Sequence, residues 1–257
     1  MLNVLSYYWR VFATGLSFAL FGLGGLLLRL VVFPLMQVLV VGQERRRLAA
    51  RAVVRWAFRV YIEMMRALGV LTYEVRGIGK LDRGGLLILA NHPTLIDTIF
   101  LMAFVRRADC IVKAELWNNP FTRGPVRAAG YVVNSAGPEI VSSCLATLDA
   151  GNNLIVFPEG TRTGSDGVLR MKRGAANIAV RGARDITPVV IRCEPATLGK
   201  GEKWWKVPGR AVRFTLDVQD DLPVREFIGD AGGEALAARH LTGYLENYFT
   251  GRCQQNA

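Results

Sequence analysis

The sequence feature that most constrains the fold is an apolar strand that ends abruptly in a polar turn. Residues 85–90 read Gly-Leu-Leu-Ile-Leu-Ala and predict a short buried strand. The next residues, Asn-His-Pro-Thr-Leu-Ile-Asp, contain a proline that stops the strand and a threonine, Thr94, that predicts the cap of a helix. His92 is therefore expected at the strand end, with Asp97 about one turn into the helix.

This spacing predicts a base and its orienting group. The Asp97 carboxylate can hold one nitrogen of the His92 imidazole and leave the other nitrogen free as a base. Backbone N–H groups of residues 93–95 are the expected oxyanion donors. The same pair also fits a histidine that is merely hydrogen-bonded within a strand–helix turn. The chain has two histidines and four scattered cysteines, so we predict no metal site and no cofactor.

A second apolar strand ends in the same manner at residues 154–163, which read Leu-Ile-Val-Phe-Pro-Glu-Gly-Thr-Arg-Thr. Asn-His-Pro-Thr-Leu-Ile-Asp and Phe-Pro-Glu-Gly-Thr-Arg-Thr, in this order, resemble the glycerolipid acyltransferase family. Its 1-acylglycerol-3-phosphate acyltransferases carry a His-x4-Asp motif and a later Phe-Pro-Glu-Gly-Thr-Arg motif. The resemblance runs from about residue 72 to residue 195, where Lys-Ala-Glu-Leu at 113–116, Gly130 and Thr-Pro-Val-Val-Ile at 187–191 match further blocks.

The resemblance implies transfer of a fatty acyl group to the hydroxyl of a lysophospholipid, 1-acylglycerol-3-phosphate, in phospholipid biosynthesis. The donor would be an acyl carrier protein or coenzyme A thioester, with His92 as general base and Asp97 as its orienter. The phosphate-specific members end their second block in an arginine, where residues 134–136 here read Asn-Ser-Ala. Another amphiphilic acceptor, or transacylation between phospholipids, is therefore an open alternative.

The polar turn at 159–162 is expected to position the substrate. Arg162 can clamp an anionic group with a bidentate fork, Gly160 allows close backbone approach, and Thr161 adds a hydroxyl donor. Glu159 either holds the acceptor hydroxyl or braces the turn. Lys113 matches a family block and is included as a substrate-binding residue, although an ordinary surface lysine fits its position equally well.

The N-terminal residues predict attachment to a membrane. Residues 11–28 carry no charge and reach the lower limit of a membrane-spanning helix, and a second apolar run covers 30–42. Several glycines and Pro34 interrupt them, which predicts either one span or two helices dipping into one leaflet. We therefore predict a membrane anchor at 1–43, with the catalytic domain on the cytoplasmic face of a bacterial inner membrane.

Residues 44–70 predict a basic amphipathic helix. Arg47, Arg51, Arg55 and Arg59 recur every four residues, and the opposite face is apolar, with Val53, Trp56, Val60 and Met64. With a net charge of +11, this helix indicates an anionic membrane surface as partner. No nucleic-acid-binding signature accompanies the arginines, so nucleic acid is not expected.

The rest of the chain, 71–257, predicts the catalytic domain. Strands alternate with helices, which indicates an α/β fold with a mostly parallel sheet flanked by helices. Further strands are expected at 72–76, 109–113, 130–133, 186–191 and 211–218, the last at a sheet edge. Helices are expected at 114–117, 140–148 and 234–249. Two other classes stay as alternatives: a metal-dependent phosphoesterase using His92, Asp97 and Glu159, and a non-catalytic adaptor that binds anionic lipid.

Overall fold

The computed structural model describes residues 2–134, 139–164, 166–229 and 232–254. Within these residues, seven strands form one sheet: β1 (Leu71–Arg76), β2 (Leu87–Ala90), β3 (Ala108–Val112), β4 (Val132–Val133), β5 (Asn153–Val156), β6 (Ile186–Glu194) and β7 (Val212–Val218). Their order is β1-β7-β6-β2-β5-β3-β4. All neighbours pair in parallel except β6 and β7, which confirms the mostly parallel α/β fold.

Helices cover both faces of this sheet. On one face lie α3 (Gln43–Ala67) and α4 (Asp97–Phe104), and on the other lie α7 (Glu139–Asp149), α8 (Arg173–Arg181) and α10 (Glu234–Gln254). In β2, Ile88 and Ala90 join the first core, whereas Leu87 and Leu89 join the second. Because both faces are buried, the strand reads as a continuous apolar run rather than an alternating one.

Shorter elements complete the chain, and most of them were not predicted. They are a 3₁₀ turn at Ile78–Leu81, α5 (Ala114–Asn118), α6 (Arg123–Ala129) and α9 (Arg225–Gly229). Of these, α5 was predicted. Neither α6 nor α8 was predicted, and both are short helices whose packing against the domain determines their formation more than their own propensity does.

The expected edge position of residues 211–218 is wrong. Strand β7 lies inside the sheet, antiparallel to β6 on one side and parallel to β1 on the other. Its even-numbered side chains Val212, Phe214, Leu216 and Val218 are buried, while the others are less buried. Such alternation reports one solvated face, and it carries no information about how many neighbours the strand has.

The N-terminal segment is one long helix with a local irregularity. Helices α1 (Leu2–Leu27) and α2 (Phe33–Leu39) are joined by a π turn at Leu28–Val32. The glycines do not interrupt α1. The π turn instead precedes Pro34, and its last hydrogen bond runs from Phe33 N–H to the carbonyl of Leu28, which shifts the bonding register ahead of a residue that has no N–H.

This helix is long and apolar enough over Val4–Leu39 to cross a membrane, and 11% of its most apolar window is buried against the protein. Large apolar side chains stand exposed along it, including Leu5, Phe12, Leu23 and Leu30. An ordinary core helix would bury them. The exposed surface is therefore suited to an apolar environment outside the protein.

The arginine stripe predicted on α3 does not form one solvated face. Arg51 is buried, and the guanidinium of Arg59 lies over the ring of Phe104, 4.4 Å from its centroid. On the face predicted to be apolar, Trp56 and Val60 are 67% and 46% exposed. Periodicity locates the residues that share a face of α3, but this arginine face is only partly solvated, because Arg51 is buried while Arg47 and Arg59 are exposed.

Arg51 ties α3 to the sheet through a buried ion pair. Its Nη2 donates to Asp109 Oδ2 over 2.7 Å, and its Nε donates to the carbonyl of Ala129 over 3.0 Å. Thr147 Oγ1 donates to the same Asp109 oxygen over 2.7 Å, so α3, β3 and α7 meet at one carboxylate. The side chains of Arg51 and Asp109 are 7% and 1% exposed. Such a pair depends on both partners, because either charge alone would be buried without compensation.

We predict that Asp109→Ala destabilises the fold by about 3–5 kcal/mol, since it leaves the Arg51 guanidinium buried and unpaired. The matched control is Asp220→Ala, because the Asp220 side chain is 95% exposed in its pair with Lys80. The measurement is the thermal and urea unfolding midpoint of the detergent-solubilised protein. A midpoint for Asp109→Ala equal to that of the control would contradict a stabilising role of this ion pair.

Candidate active site

The candidate site lies where the parallel strands β2 and β5 end side by side. The two strands pair from Leu87 with Leu154 to Leu89 with Val156, so the segments that follow them leave the same edge of the sheet. We call residues 91–97 the histidine turn and residues 157–163 the arginine loop. The carboxyl edge of parallel strands is where open α/β folds bind their ligands.

His92 and Asp97 form the hydrogen-bonded pair that their spacing predicts. His92 Nδ1 lies 2.9 Å from Asp97 Oδ2, and Nε2 has no hydrogen-bond partner in the described part of the chain. The Asp97 side chain is completely buried, whereas that of His92 is 16% exposed. A buried carboxylate thus orients an imidazole whose other nitrogen is free.

The start of α4 differs from the prediction. The helix begins at Asp97, with Ile96 at the N-cap, and Thr94 does not cap it. Instead the Thr94 hydroxyl donates to Asp97 Oδ1, and the Thr94 N–H donates to Asp97 Oδ2 over 2.6 Å. Burial raises the pKa of Asp97 above its ordinary value, while hydrogen bonds from His92 and Thr94 favour the charged form and oppose this rise. The polar groups of Thr94 therefore bind the Asp97 carboxylate and do not cap the helix.

The arginine loop holds His92 through its backbone and its ring. The His92 N–H donates to Glu159 Oε1 over 2.8 Å, and the Thr163 N–H donates to the His92 carbonyl over 2.8 Å. The Phe157 ring stacks on the imidazole with a centroid distance of 4.1 Å and an interplanar angle of 22°. The loop thus sets both the backbone position and the ring plane of the histidine.

Glu159 is 5% exposed and lies between the two turns. Besides the His92 N–H, its Oε1 accepts a hydrogen bond of 3.0 Å from the Thr163 hydroxyl. Burial raises the pKa of Glu159, and these two hydrogen bonds oppose the rise. The first bond joins the arginine loop to the histidine turn, and the second lies within the arginine loop.

Gly160 has a φ of +67°, in the left-handed region where a side chain is strained. A Cβ at this position would also lie 2.9 Å from Lys172 Nζ. The glycine therefore lets the Lys172 ammonium lie against the loop, and the Lys172 N–H donates to the Pro158 carbonyl over 2.8 Å. Thr161 is half-buried, and its hydroxyl makes no hydrogen bond to any described residue.

Arg162 contacts the segment that follows β6. Its Nη1 donates to the carbonyls of Leu198 and Gly199 over 2.9 and 2.7 Å. Its Nε and Nη2 make no hydrogen bond within the described ranges. The guanidinium expected to clamp a substrate therefore has one nitrogen engaged in the fold and two that are free.

Lys113 follows β3, whose carboxyl end lies at the same sheet edge as those of β2 and β5. Its side chain is exposed and has no hydrogen-bond partner among the described residues. The Asn134 N–H donates to the Val112 carbonyl over 2.8 Å. Ser135 and Ala136, the other two positions of the second block where an arginine is missing, lie outside the described residues.

The oxyanion donors expected at residues 93–95 are already engaged. Pro93 has no N–H, the Thr94 N–H donates to a carboxylate oxygen, and the Leu95 N–H donates over 3.1 Å to a carbonyl after β6. That expectation is wrong, because these donors hold the turn itself. In the arginine loop, the N–H groups of Thr161 and Arg162 find no acceptor in the described part of the chain.

Two residues that hold this geometry, Asn91 and Phe157, were given no role from the sequence. A third, Thr94, was expected only as a helix cap. Asn91 Nδ2 donates to the Ile191 carbonyl over 2.8 Å, and the Ile191 N–H donates back to Asn91 Oδ1 over 2.7 Å, which fastens the histidine turn to β6. Their positions inside the two motifs were the available signal. Across residues 2–134, 139–164, 166–229 and 232–254, no group of three or more His, Cys, Asp or Glu side chains could hold a metal ion.

Comparison with known proteins finds acyltransferases similar to this chain. Residues 72–192 match the family model described as Acyltransferase. A 1-acyl-sn-glycerol-3-phosphate acyltransferase of Helicobacter pylori is 34% identical over 121 residues, which are 44% of this chain and 51% of that protein. A lyso-ornithine lipid O-acyltransferase of Pseudomonas aeruginosa is 28% identical over 132 residues, 50% of this chain and 51% of that protein. The chain thus spans about half the length of these two relatives.

The fold has a solved counterpart. The crystal structure of the 1-acyl-sn-glycerophosphate acyltransferase PlsC from Thermotoga maritima matches with a TM-score of 0.71, covering 99% of both chains at 18% identity. At that identity the likeness is one of fold. The matched family span contains both the histidine turn and the arginine loop. The family-model match, the acyltransferase relatives and this shared fold together support the glycerolipid acyltransferase family.

Proposed function

We propose that this protein is a membrane-associated O-acyltransferase that transfers a fatty acyl group from an acyl carrier protein or coenzyme A thioester to the hydroxyl of 1-acyl-sn-glycerol-3-phosphate in phospholipid biosynthesis. The observation that carries the proposal is the geometry of His92. Its Nδ1 is held at 2.9 Å by a buried carboxylate, and its Nε2 has no partner in the described chain. That arrangement is what a general base for an alcohol requires.

The reaction needs no nucleophile from the protein. His92 Nε2 takes the proton of the acceptor hydroxyl as the oxygen attacks the thioester carbonyl carbon. A C–O bond forms, the C–S bond breaks, and the imidazolium returns its proton to the leaving thiolate. General base catalysis contributes about 10²–10⁴-fold, so substrate positioning and oxyanion stabilisation must supply the remainder.

In this scheme Asp97 keeps the Nδ1 proton in place and stabilises the imidazolium. The N–H groups of Thr161 and Arg162, which lack an acceptor in the described chain, are our candidates for the oxyanion donors. Gly160 permits the close approach that such a contact needs. Glu159 acts as a brace, because one of its hydrogen bonds joins the arginine loop to the His92 N–H and the other closes the loop on Thr163.

The acceptor's anionic group has cationic neighbours at this edge. Arg162 retains two free guanidinium nitrogens among the described contacts, and Lys172 Nζ lies against Gly160. We propose that Arg162 binds the acceptor phosphate, with Lys172 and Lys113 adding positive charge. A second candidate acceptor is another lysolipid, since one relative is named for a lyso-ornithine lipid and Asn134 is no substitute for the arginine of the second block.

The N-terminal helix supports membrane attachment. We propose residues 1–43 as the anchor, residues 44–70 as a basic helix at the lipid surface and residues 71–257 as the catalytic domain. Three consecutive arginines, at 45–47, follow the apolar helix directly. By the positive-inside rule they favour a catalytic domain on the cytoplasmic face, as at a bacterial inner membrane.

An open cavity of about 590 Å³ between α3 and the end of α4 supports an anionic lipid surface as partner. Arg55, Arg59, Arg106 and Arg107 line it. The pKa of Arg55 is lowered by burial and by the neighbouring Arg106 and Arg59. Guanidinium groups that repel one another in a groove are stabilised by an anion such as a lipid phosphate.

We predict that His92→Ala reduces acyl transfer by about 10²–10⁴-fold, because the base is lost. Asp97→Asn should reduce it by up to about 10⁴-fold, because an amide no longer fixes the tautomer. The measurement is thiol release from an acyl thioester by the purified full-length protein, with product identified by mass spectrometry. His240→Ala is the matched control, since His240 is exposed on α10. Near-normal turnover by folded His92→Ala would require a different mechanism.

A brace and a substrate ligand respond differently at Glu159. Glu159→Gln keeps an oxygen that accepts from the His92 N–H, so we expect activity within about threefold of wild type, whereas Glu159→Ala should lose most of it with the turn geometry. Equal losses in both variants would indicate that the charge itself is required.

Comparison of wild type with Glu159→Gln also tests a pH dependence of stability. Burial raises the pKa of the Glu159 carboxyl above its ordinary value in the folded chain, so the folded state holds this proton to higher pH than the unfolded state. Its contribution to stability is complete below the ordinary pKa and is lost as the pH rises through the raised value. We therefore expect the thermal midpoint of wild type, minus that of Glu159→Gln, to fall as the pH rises from the ordinary pKa of a glutamate to the raised pKa of Glu159. A constant difference would contradict the assigned shift.

Arg162→Lys separates acceptor binding from structure. Lysine keeps the charge but loses the planar fork, so the KM for 1-acylglycerol-3-phosphate should rise about ten- to a hundredfold, the cost of a charge-assisted hydrogen bond. The KM for the thioester and that for an uncharged monoacylglycerol should change little. An equal penalty on both acceptors would mean that Arg162 serves only its contacts to Leu198 and Gly199.

A further inference from the structure

The segment after β6 carries an exposed aromatic and cationic surface. We call residues 196–206 the tryptophan loop. Trp204 and Trp205 are 42% and 51% exposed, and their rings meet edge to face. Lys200, Lys203 and Lys206 are exposed beside them. Tryptophan with flanking lysine is the combination that favours the headgroup region of a bilayer, because indole has an apolar body and a polar N–H.

One end of the tryptophan loop rests on the apolar N-terminal helix. The Trp204 ring would come within 3.1 Å of a Cβ on Gly15, and its centroid lies 6.0 Å from that of Phe18. Tyr7 of α1 and Trp205 line the same open cavity of about 440 Å³. The exposed tryptophans are therefore continuous with the helix whose apolar surface is left uncovered by the protein.

The other end of the tryptophan loop is hydrogen-bonded to both the histidine turn and the arginine loop. The Leu198 carbonyl accepts hydrogen bonds from the Leu95 N–H of the histidine turn and from Arg162 Nη1 of the arginine loop, over 3.1 and 2.9 Å. The Gly199 carbonyl accepts from the same Arg162 nitrogen over 2.7 Å. Thr197 and Leu198 are 8% and 7% exposed. A displacement of this segment would thus move donors on both turns.

We propose that the tryptophan loop is a membrane-contact surface that binds the headgroup layer of a bilayer containing anionic lipid, and that this contact holds the two catalytic turns in their productive arrangement through Leu198 and Gly199. In this proposal, which rests on the proposed acyltransferase function, Arg162 has a positioning role beside any contact it makes with the acceptor. The lysines fit anionic headgroups. An acidic protein partner would use the lysines but would not account for tryptophans placed beside an apolar helix.

The test compares two full-length double variants. Trp205→Ala with Lys203→Gln removes one exposed ring and one cation from the tryptophan loop. The control, Leu236→Ala with Arg239→Gln, removes an exposed apolar side chain and a cation from α10 on the opposite layer. Activity is measured in detergent micelles and on vesicles of phosphatidylglycerol mixed with phosphatidylcholine. We expect wild type and control to turn over faster on these vesicles, and the loop variant to lose that gain, about tenfold, with an unchanged rate in detergent.

Retention of the vesicle gain by the loop variant would overturn the proposal, and so would an equal loss in detergent, which would indicate a structural defect alone. A second readout does not depend on activity. Lipids brominated near the headgroup should quench a part of the tryptophan fluorescence in wild type that Trp205→Ala lacks. Equal quenching in wild type and Trp205→Ala would overturn the membrane contact. Greater quenching in wild type, in a protein that shows no acyl transfer, would support the contact and contradict the proposed function.

Discussion

The arrangement of this site depends on one buried carboxylate. Asp97 has no exposed surface, and a charge in such a position is tolerated only when hydrogen bonds replace its hydration. It receives three: from His92 Nδ1, from the Thr94 N–H and from the Thr94 hydroxyl. These three hydrogen bonds curl residues 92–97 around the carboxylate. Helix α4 begins only at Asp97, and the His92 imidazole is held beside it. The imidazole of His92, the proposed base, is therefore positioned by the same contacts that make burial of Asp97 possible.

A second set of contacts fixes the remaining freedom of His92. Its N–H and its carbonyl are bonded to Glu159 and Thr163, and its ring face is covered by Phe157. The proposed proton transfer requires placement within about 0.5 Å, and four contacts, these three and the bond to Asp97, hold His92 in place. Because three of them come from the arginine loop, the family's two motifs act as a single unit, even though they are separated along the chain by α4, β3 and the segments up to β5.

Features encoded by local spacing could be predicted from the sequence. Apolar runs that end near a proline predicted β2 and β5, and the five-residue separation of His92 and Asp97 predicted their hydrogen bond. Features that depend on a distant partner could not. The partners of Arg162 are backbone carbonyls 36 and 37 residues away, and a carbonyl carries no sequence signature. The periodicity of α3 located the face that holds Arg51 but not Asp109 opposite it, and the alternation in β7 did not reveal a strand on each side.

The backbone N–H groups beside His92 are not free to stabilise an oxyanion. A helix start offers free N–H groups in principle, but those of Thr94 and Leu95 donate to Asp97 and to the Leu198 carbonyl. In the proposed mechanism the donors therefore lie in the arginine loop, where Thr161 and Arg162 have N–H groups without an acceptor among the described residues. This loop already positions His92 and reaches the segment beside the apolar helix through the Arg162 guanidinium. In the proposed mechanism, one short stretch of chain therefore supplies the ligand for the acceptor's anionic group, the oxyanion donors and the residues that hold His92.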